Sequence, residues 1–341
     1  MVGADPLGGR WVSTGHLPRD DRVAALVHAC HRDLAGVADG AVSDVYPVLA
    51  QADPRLFGIA VMGVDGHEFA VGDVDVPFTL MSVAKPFVFA LACERHGVDR
   101  VVEHVGAHAT NRPFNSLAAV EEGPGGRTNP MVNAGAIACT ALLGRGDGAW
   151  DDLAEGLSAF AGRRLELDVG VLASASGTNL RNRAIAQLLH ASGLLDDPDE
   201  AVDHYTRQSC LAVTARDLAV MGATLADAGV NPLTGQRVVS AETASRTLAV
   251  MVTAGMYERS GEWLVRVGLP AKSGISGGIV TAAPGKGGLG TYAPPLDPAG
   301  NSVRGGLAAA RLSRELGLDL FTAEVAERSP TRVLVPSPET P

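Results

Sequence analysis

Apolar positions along this chain recur at two periods. Between Asp20 and Ala38, Val23, Leu26, Val27, Cys30 and Leu34 fall three or four residues apart, which is one stripe of an α-helix. From Phe57 to Gly63 the residues are apolar and β-prone. Asp65-Gly66 then supplies a hairpin turn, and His67 to Gly72 returns as the partner strand. Ser82 opens an apolar helix over Val83 to His96 that Gly97 stops; Pro86 lies in its first turn, where a missing N–H costs little. Ala134 to Leu143 and Asn182 to Ser192 read as buried helices. Thr214 with Asp217 makes a capping-box-like start to a helix ending near Gly229, and Ser240 caps another that ends at Gly255. The texture then changes. Trp263 to Val267, Ile275 to Ala283 and Leu289 to Tyr292 predict strands among many glycines, and Leu307 to Leu316 predicts a closing helix. Strands near both ends with helices between them predict a sheet assembled from distant segments, with a helical insertion carrying half of the site. There is no internal repeat and no clean linker. The expected organisation is a loose Gly/Pro/Asp-rich extension over 1–19, one domain over 20–325, and a disordered proline-rich tail over 326–341.

Length and composition narrow the function classes. At 341 residues, with 46% hydrophobic and 19% charged residues, the chain can bury a sizeable core. A net charge of −10 without any run of lysine or arginine argues against nucleic acid and anionic membrane as partners. No apolar run approaches the roughly 18 residues of a membrane span. The start, Met1-Val2-Gly3-Ala4-Asp5-Pro6, lacks the basic and apolar regions of a secretion signal. Cys30, Cys93, Cys139 and Cys210 are scattered, and three lie in apolar helical stretches. Buried free thiols in a reducing cytoplasm are the expectation.

The chemistry-bearing signal is the use of lysine. Three lysines stand against 25 arginines. Arginine stays protonated in a protein, whereas a desolvated lysine can be neutral near pH 7 and act as a base. Lys85 follows Ser82 in Ser82-Val83-Ala84-Lys85, Lys272 opens Lys272-Ser273-Gly274, and Lys286 sits in a glycine-rich turn, Pro284-Gly285-Lys286-Gly287-Gly288. A lysine one helical turn after a serine is placed to take the hydroxyl proton and make the serine a nucleophile. A serine near a helix N-terminus also meets free N–H groups that stabilise an oxyanion. Ser-x-x-Lys followed far downstream by Lys-Ser-Gly is the serine acyl-enzyme pattern of penicillin-binding proteins and β-lactamases. With 18 serines present, one Ser-x-x-Lys arises by chance about one time in six. The plainer reading makes Ser82 a helix cap and Lys85 a surface charge.

Other motifs are weaker. Asn133, in Asn129-Pro130-Met131-Val132-Asn133-Ala134-Gly135-Ala136, and Asn182, in Arg181-Asn182-Arg183, are each either a helix cap or a ligand-binding amide. Gly274-Ile275-Ser276-Gly277-Gly278 matches the Gly-x-Ser-x-Gly nucleophile elbow in form only, because no histidine follows it and the segment continues as a strand. His104 and His108 have no carboxylate partner, so surface histidines are expected and no metal is assigned.

Taken together, the chain resembles the serine-dependent glutaminases of the β-lactamase/transpeptidase-like superfamily. The resemblance spans about 42–320 and rests on Ser82-Val83-Ala84-Lys85-Pro86-Phe87, Asn129 to Ile137, Arg181-Asn182-Arg183-Ala184, Gly255-Met256-Tyr257, Val267 to Gly274, and Pro294-Pro295-Leu296-Asp297 with Gly300-Asn301-Ser302-Val303. It implies an α+β fold, an antiparallel sheet flanked by helices with a helical subdomain. It also implies hydrolysis of L-glutamine to glutamate and ammonia without a cofactor, in a homodimer or homotetramer. By resemblance Ser82 is the nucleophile and Lys85 its base. Asn133, Asn182 and Tyr205 bind substrate, and Tyr257 binds substrate and aids proton transfer. Ile275 lends its N–H to an oxyanion hole with that of Ser82, and Lys272, Ser273 and Gly274 support the site.

Four positions depart from the family pattern. Ala175 stands where the family has a glutamate and Val45 where it has a tyrosine, with Tyr46 next door; both family residues contact the α-amino end of glutamine. His108-Ala109-Thr110-Asn111 replaces a Glu-Pro-Ser-Gly stretch, and Met81 replaces the glutamine before the nucleophile. The alternatives are therefore an amidase or esterase for a related substrate without a free α-amino group, and a non-catalytic binding protein on the same fold. A penicillin-interacting enzyme is disfavoured by the Asn129 to Ala136 block.

Overall fold

A computed structural model describes residues 15–323. Most of the extension over 1–19 that the sequence predicts to be loose, and all of the tail over 326–341 that it predicts to be disordered, therefore lie outside the described residues. In chain order the elements are α1 (Asp20–Leu34), β1 (Gly58–Gly63), β2 (Glu68–Gly72), β3 (Phe78–Thr79), α2 (Ala84–His96), α3 (Val98–Val105), α4 (Ala118–Glu122), α5 (Asn133–Leu142) and α6 (Gly146–Ala161). There follow β4 (Glu166–Leu167), α7 (Val169–Thr178), α8 (Leu180–Ala191), α9 (Pro198–Ser209), β5 (Leu211–Val213), α10 (Ala215–Ala226), α11 (Ala241–Ala254), α12 (Ser260–Val267), β6 (Ala271–Ser273), β7 (Gly278–Ala283), β8 (Gly287–Tyr292) and α13 (Val303–Glu315).

Five strands form one antiparallel sheet in the order β2-β1-β8-β7-β6, so the N-terminal hairpin pairs directly with the C-terminal strands, Ile59 opposite Thr291. β1 is buried along its whole length, and its period of two sorts its side chains between layers. Ile59 and Val61 join Val23, Val27 and Leu312 of α1 and α13 on one face. Ala60 and Met62 join the larger core of α2, α10 and α11 on the other. This is the expected antiparallel sheet flanked by helices, with the helical body inserted between β3 and β6.

The capping signals hold. Thr214 and Asp217 form a full capping box at the start of α10, and Arg163 grips the same carboxylate at 2.7 and 2.6 Å. Ser240 caps α11. One element differs in type. Trp263 to Val267, expected as a strand, lies in helix α12, because Trp263 and Val267 are one helical turn apart and pack inward while Val265 is 89% exposed. The closing helix starts at Val303, earlier than Leu307, because Ser302 caps it through Gly305 N. All four cysteines are buried free thiols. Among the described residues no helix is long and apolar enough to cross a membrane.

α10 lies across β7 and β8 with backbone nearly against backbone. A Cβ on Gly290 would collide with the Ala215 carbonyl, and one on Gly288 with that of Ala219; one on Gly222 would lie 2.8 Å from Thr281 O. Two layers of main chain cannot relax as a side chain can. Gly290→Ala is expected to lower unfolding stability by about 1–3 kcal/mol or more, as overpacking does. Urea unfolding followed by circular dichroism measures it, and a midpoint equal to that of the parent would show the seat to be loose.

Candidate active site

Ser82 sits where the two parts of the fold meet. It is the middle residue of a 3₁₀ turn, Met81–Val83, that runs straight into α2. Leu80 N bonds Leu211 O of β5, tying the turn to the three-stranded sheet β3-β5-β4. Gly274, at the end of β6, packs against it from the other side: a Cβ there would lie 2.9 Å from Leu80 O and 3.1 Å from Val83 Cγ2. The Ser82 side chain makes no helix-capping bond, so the cap reading fails. Met81 has φ +47°, a left-handed conformation costly for a non-glycine residue.

Lys85 lies one turn along, 1% exposed. Its Nζ donates to Asn133 Oδ1 at 2.7 Å and Met131 O at 3.2 Å, and it faces the Phe114 ring at 5.7 Å. These partners are dipoles and an aromatic face, and none is a carboxylate. Burial brings its pKa down to about 7. The plainer reading of Lys85 as a surface charge is excluded. Lys272 is equally buried. It donates to Ser273 O at 2.6 Å, lies 4.1 Å from the centre of the Tyr257 ring, and is pushed well below the usual lysine range by burial and then by the charge of Lys85.

Tyr257 donates to the same Ser273 carbonyl at 3.0 Å, and it lies close enough to Ser82 for the serine side chain to offset a little of the upward shift that burial gives its pKa. Burial raises its pKa, so it stays a neutral phenol. It too has positive φ, +55°, held by Ser260, whose hydroxyl donates to Tyr257 O and accepts from Met256 N. Ser273 Oγ is buried and finds no protein partner. Ser276 of the rejected elbow motif donates to Thr79 O at 2.7 Å, which pins the β6–β7 turn to β3 and so positions Ile275.

A small cleft of about 120 Å³ opens over these groups and is lined by Ser82, Asn133, Asn182, Tyr205 and Ile275 among others. Asn133 and Asn182 are not caps. Asn133 Oδ1 also accepts from the Tyr205 hydroxyl at 3.1 Å, and Asn133 Nδ2 donates to Asn182 Oδ1 at 2.8 Å. The cleft residues include Arg181 and no carboxylate. Ala175 is 1% exposed and packs with Met81, Val171 and Cys210 at one end of the cleft, with Tyr46 against them, while Val45 at the rim is 53% exposed. Glu166, an acid nearby in the sequence that could replace the missing carboxylate, lies outside the cleft beside Arg164 at 3.5 Å. Sequence reasoning missed Asn179 and Thr206, which extend the amide contacts; the spacing of Asn179 three residues before Asn182 was the available signal. Asn129 holds its own turn through His108 O and Met131 N and does not face the cleft.

Comparison with known proteins agrees with this geometry. A family model described as Glutaminase matches residues 40–321. Glutaminase 2 of Yersinia pestis is 55% identical over 317 residues, covering 92% of this chain and 93% of that protein. Glutaminase 1 of Bradyrhizobium diazoefficiens is 49% identical over 283 residues, covering 82% of this chain and 46% of that longer protein. Among solved structures, the probable glutaminase ybaS superposes with a TM-score of 0.88 at 39% identity, over 90% of this chain and all of that one. Mglu in its glutamate form superposes with a TM-score of 0.84 at 38% identity, over 90% and 72% of the two chains.

The close approach of Gly274 to Leu80 and Val83 fixes the distance between the Ile275 and Ser82 N–H groups. If these N–H groups form the oxyanion hole that the family resemblance implies, Gly274→Ala is expected to slow covalent modification of Ser82 by an electrophilic amide analogue by about tenfold or more, since loss of one oxyanion donor alone costs at least that much. The rate comes from intact-mass time courses, and an unchanged rate would show that the spacing of these two N–H groups does not matter.

Proposed function

Because the chain belongs to the glutaminase family, we propose that it hydrolyses L-glutamine to glutamate and ammonia through an acyl ester on Ser82, with Lys85 as the base. The observation that carries this reading is Lys85: a buried lysine with neutral partners and a pKa of about 7, one helical turn from a serine at a helix start. Neutral Lys85 takes the Ser82 proton as Oγ attacks the side-chain carbonyl of glutamine. The oxyanion is held by the N–H groups of Ser82 and Ile275. The tetrahedral intermediate collapses, the C–N bond breaks, and the leaving nitrogen takes a proton from the Lys85–Tyr257 side to depart as ammonia. Water then attacks the acyl ester, giving its proton back through Lys85, and glutamate leaves with Ser82 restored. Asn133, Asn182 and Tyr205 orient the substrate. Tyr257, close to both Ser82 and Lys272, is the second proton-handling group. The buried thiols favour a cytoplasmic setting, and a homo-oligomer is expected from the family.

One observation favours a second reading of the substrate. The cleft offers amides, hydroxyls and Arg181 to a carboxylate, but no acid to an ammonium. An amide whose α-nitrogen is acylated or absent fits that lining better than free glutamine does.

Ser82→Ala is expected to lose activity by orders of magnitude with the fold intact, and an electrophilic glutamine analogue to leave a covalent adduct on Ser82 by intact mass. Lys85→Arg is expected to be nearly as damaging as Lys85→Ala, because arginine cannot shed its proton. Since the base works deprotonated, kcat/KM is expected to rise with pH through about 7, where Lys85 loses its proton. A Ser82→Ala enzyme with near-parental rates would rule out the acyl ester.

The substrate question has its own test. KM for L-glutamine is expected to lie above the millimolar upper end of ordinary enzymes, roughly 1 mM. Ala175→Glu is expected to lower it with little change in kcat, because the contact is far from the bond broken. A parental KM of about a millimolar or less would show that another group already holds the ammonium.

A further inference from the structure

The amides of the site form one directed hydrogen-bond chain with a fixed end. Thr206 in α9 donates its only hydroxyl proton to Val202 O, one turn back, at 2.6 Å. Its oxygen is left to accept, and it accepts from Asn179 Nδ2 at 2.6 Å. Asn179 therefore presents Oδ1 to Asn182 Nδ2, at 2.6 Å. Asn182 presents Oδ1 to Asn133 Nδ2 at 2.8 Å, and Asn133 turns its own Oδ1 to Lys85 and to the Tyr205 hydroxyl. Each of these residues is 7% exposed or less, so a wrongly turned amide sets like polar atoms against each other in a largely buried setting.

The direction matters at the lysine. A neutral amine has two N–H bonds and one lone pair. With Met131 O and Asn133 Oδ1 both accepting, the N–H bonds are spent and the lone pair is left for Ser82. The chain has a second polarity. Thr206 then gives its proton to Asn179 Oδ1, every amide turns over, and Asn133 Nδ2 points at Lys85. There it donates to the lone pair, blocking the base, and the buried Tyr205 hydroxyl loses its acceptor. We propose that Thr206 and Asn179 are positioning residues for the reaction: their hydrogen bonds set the polarity of the amide chain and so keep the Lys85 lone pair available to Ser82. This rests on Lys85 being the base.

The experiment compares Thr206→Val, Thr206→Ser and Asn179→Asp with the parent, by kcat against pH on glutamine and by thermal unfolding. Valine keeps the shape and removes the oxygen, freeing the chain to turn. Thr206→Val is expected to lower plateau kcat by about tenfold. Its acid limb is expected at lower pH, because an amide N–H facing Lys85 disfavours the ammonium form. Thr206→Ser is expected to restore both. Asn179→Asp, protonated in this buried setting, donates to Thr206 and still accepts from Asn182, so it keeps the direction and is expected to retain most of the turnover. A Thr206→Val enzyme with the parental acid limb, whatever its rate or melting temperature, overturns the proposal. Should that variant fail to fold, a folded Asn179→Asp protein without turnover overturns it equally. Ser82→Ala run in parallel separates the two levels. If Ser82→Ala is dead while Thr206→Val titrates like the parent, only the polarity proposal fails; if Ser82→Ala is active, the reading of the site fails.

Discussion

A lysine buried without an anion constrains everything around it. Sealing an ammonium away from water costs several kcal/mol unless it is paired or gives up its proton. Lys85 has no carboxylate to pair with, so it is poised to be neutral near pH 7. An aspartate in place of Asn133 would supply the missing charge and hold the proton in place, removing the base. The groups that bond the Lys85 ammonium, and those that bond them in turn, are accordingly neutral dipoles: Asn133 and the Met131 carbonyl, then Asn182 and Tyr205. Two of the chain's three lysines, Lys85 and Lys272, are buried here. Lys272, next to Tyr257, is held well below the usual lysine range by the same burial and then by the charge of Lys85.

The second requirement is geometric, and the fold meets it with strain. Met81 and Tyr257 both have positive φ without being glycine, and they flank the groups that handle the proton. Each such residue costs on the order of 1–3 kcal/mol. Met81 is held by its burial against Val171, Ala175 and Cys210, and Tyr257 by Ser260 and Ser273. Behind them, α10 against β7 and β8 gives a main-chain platform that cannot shift, and β6 leaves that platform to reach Ser82 within three residues. The rigid sheet thus fixes the oxyanion side of the site and the helical body fixes the amide side, with Ser82 on the seam.

How much of this was legible follows the same physics. The β1–β2 hairpin, the caps of α10 and α11 and the runs of β7 and β8 are written in local chemistry, and the fold keeps them. α12 was misread because Trp263-Leu264-Val265-Arg266-Val267 is β-prone in type; its face is decided by tertiary contacts with α13 and β6. β3 and β4 are two residues each and have no local signal at all, yet β3-β5-β4 is what anchors the Ser82 turn. In the site, Ser82, Lys85 and Lys272 stand out because lysine is rare in this chain. Asn133, Asn182, Tyr205, Tyr257 and Ile275 were readable only through family resemblance, since asparagine and tyrosine are ordinary residues until neighbours from distant helices meet them. Thr206 was invisible, because a threonine bonding back along its own helix is a common surface habit, and only the fold shows that its oxygen faces inward to Asn179.

The family name and the cleft lining pull in different directions on the substrate, and magnitudes reconcile them. On the proposed reading, glutamine would bring a carboxylate to Arg181 and the amides, and an ammonium to the end of the cleft formed by Ala175, Met81 and the half-buried Tyr46. A cation over an aromatic face contributes about 0.5–2 kcal/mol, whereas losing the carboxylate partner of a buried charge costs about 3–5 kcal/mol. A Tyr46 ring face turned to that ammonium would therefore recover part of the loss and no more. That deficit falls on the ground state and the transition state alike, because the ammonium end does not change during acyl transfer, and uniform binding of this kind appears in KM while leaving kcat alone. The residues proposed to cleave the amide, Ser82, Lys85 and Tyr257, are by contrast all present. On the proposed reading, an enzyme of this construction would turn over bound glutamine at a normal rate and bind it weakly, and it would gain affinity for an amide that arrives without the charge.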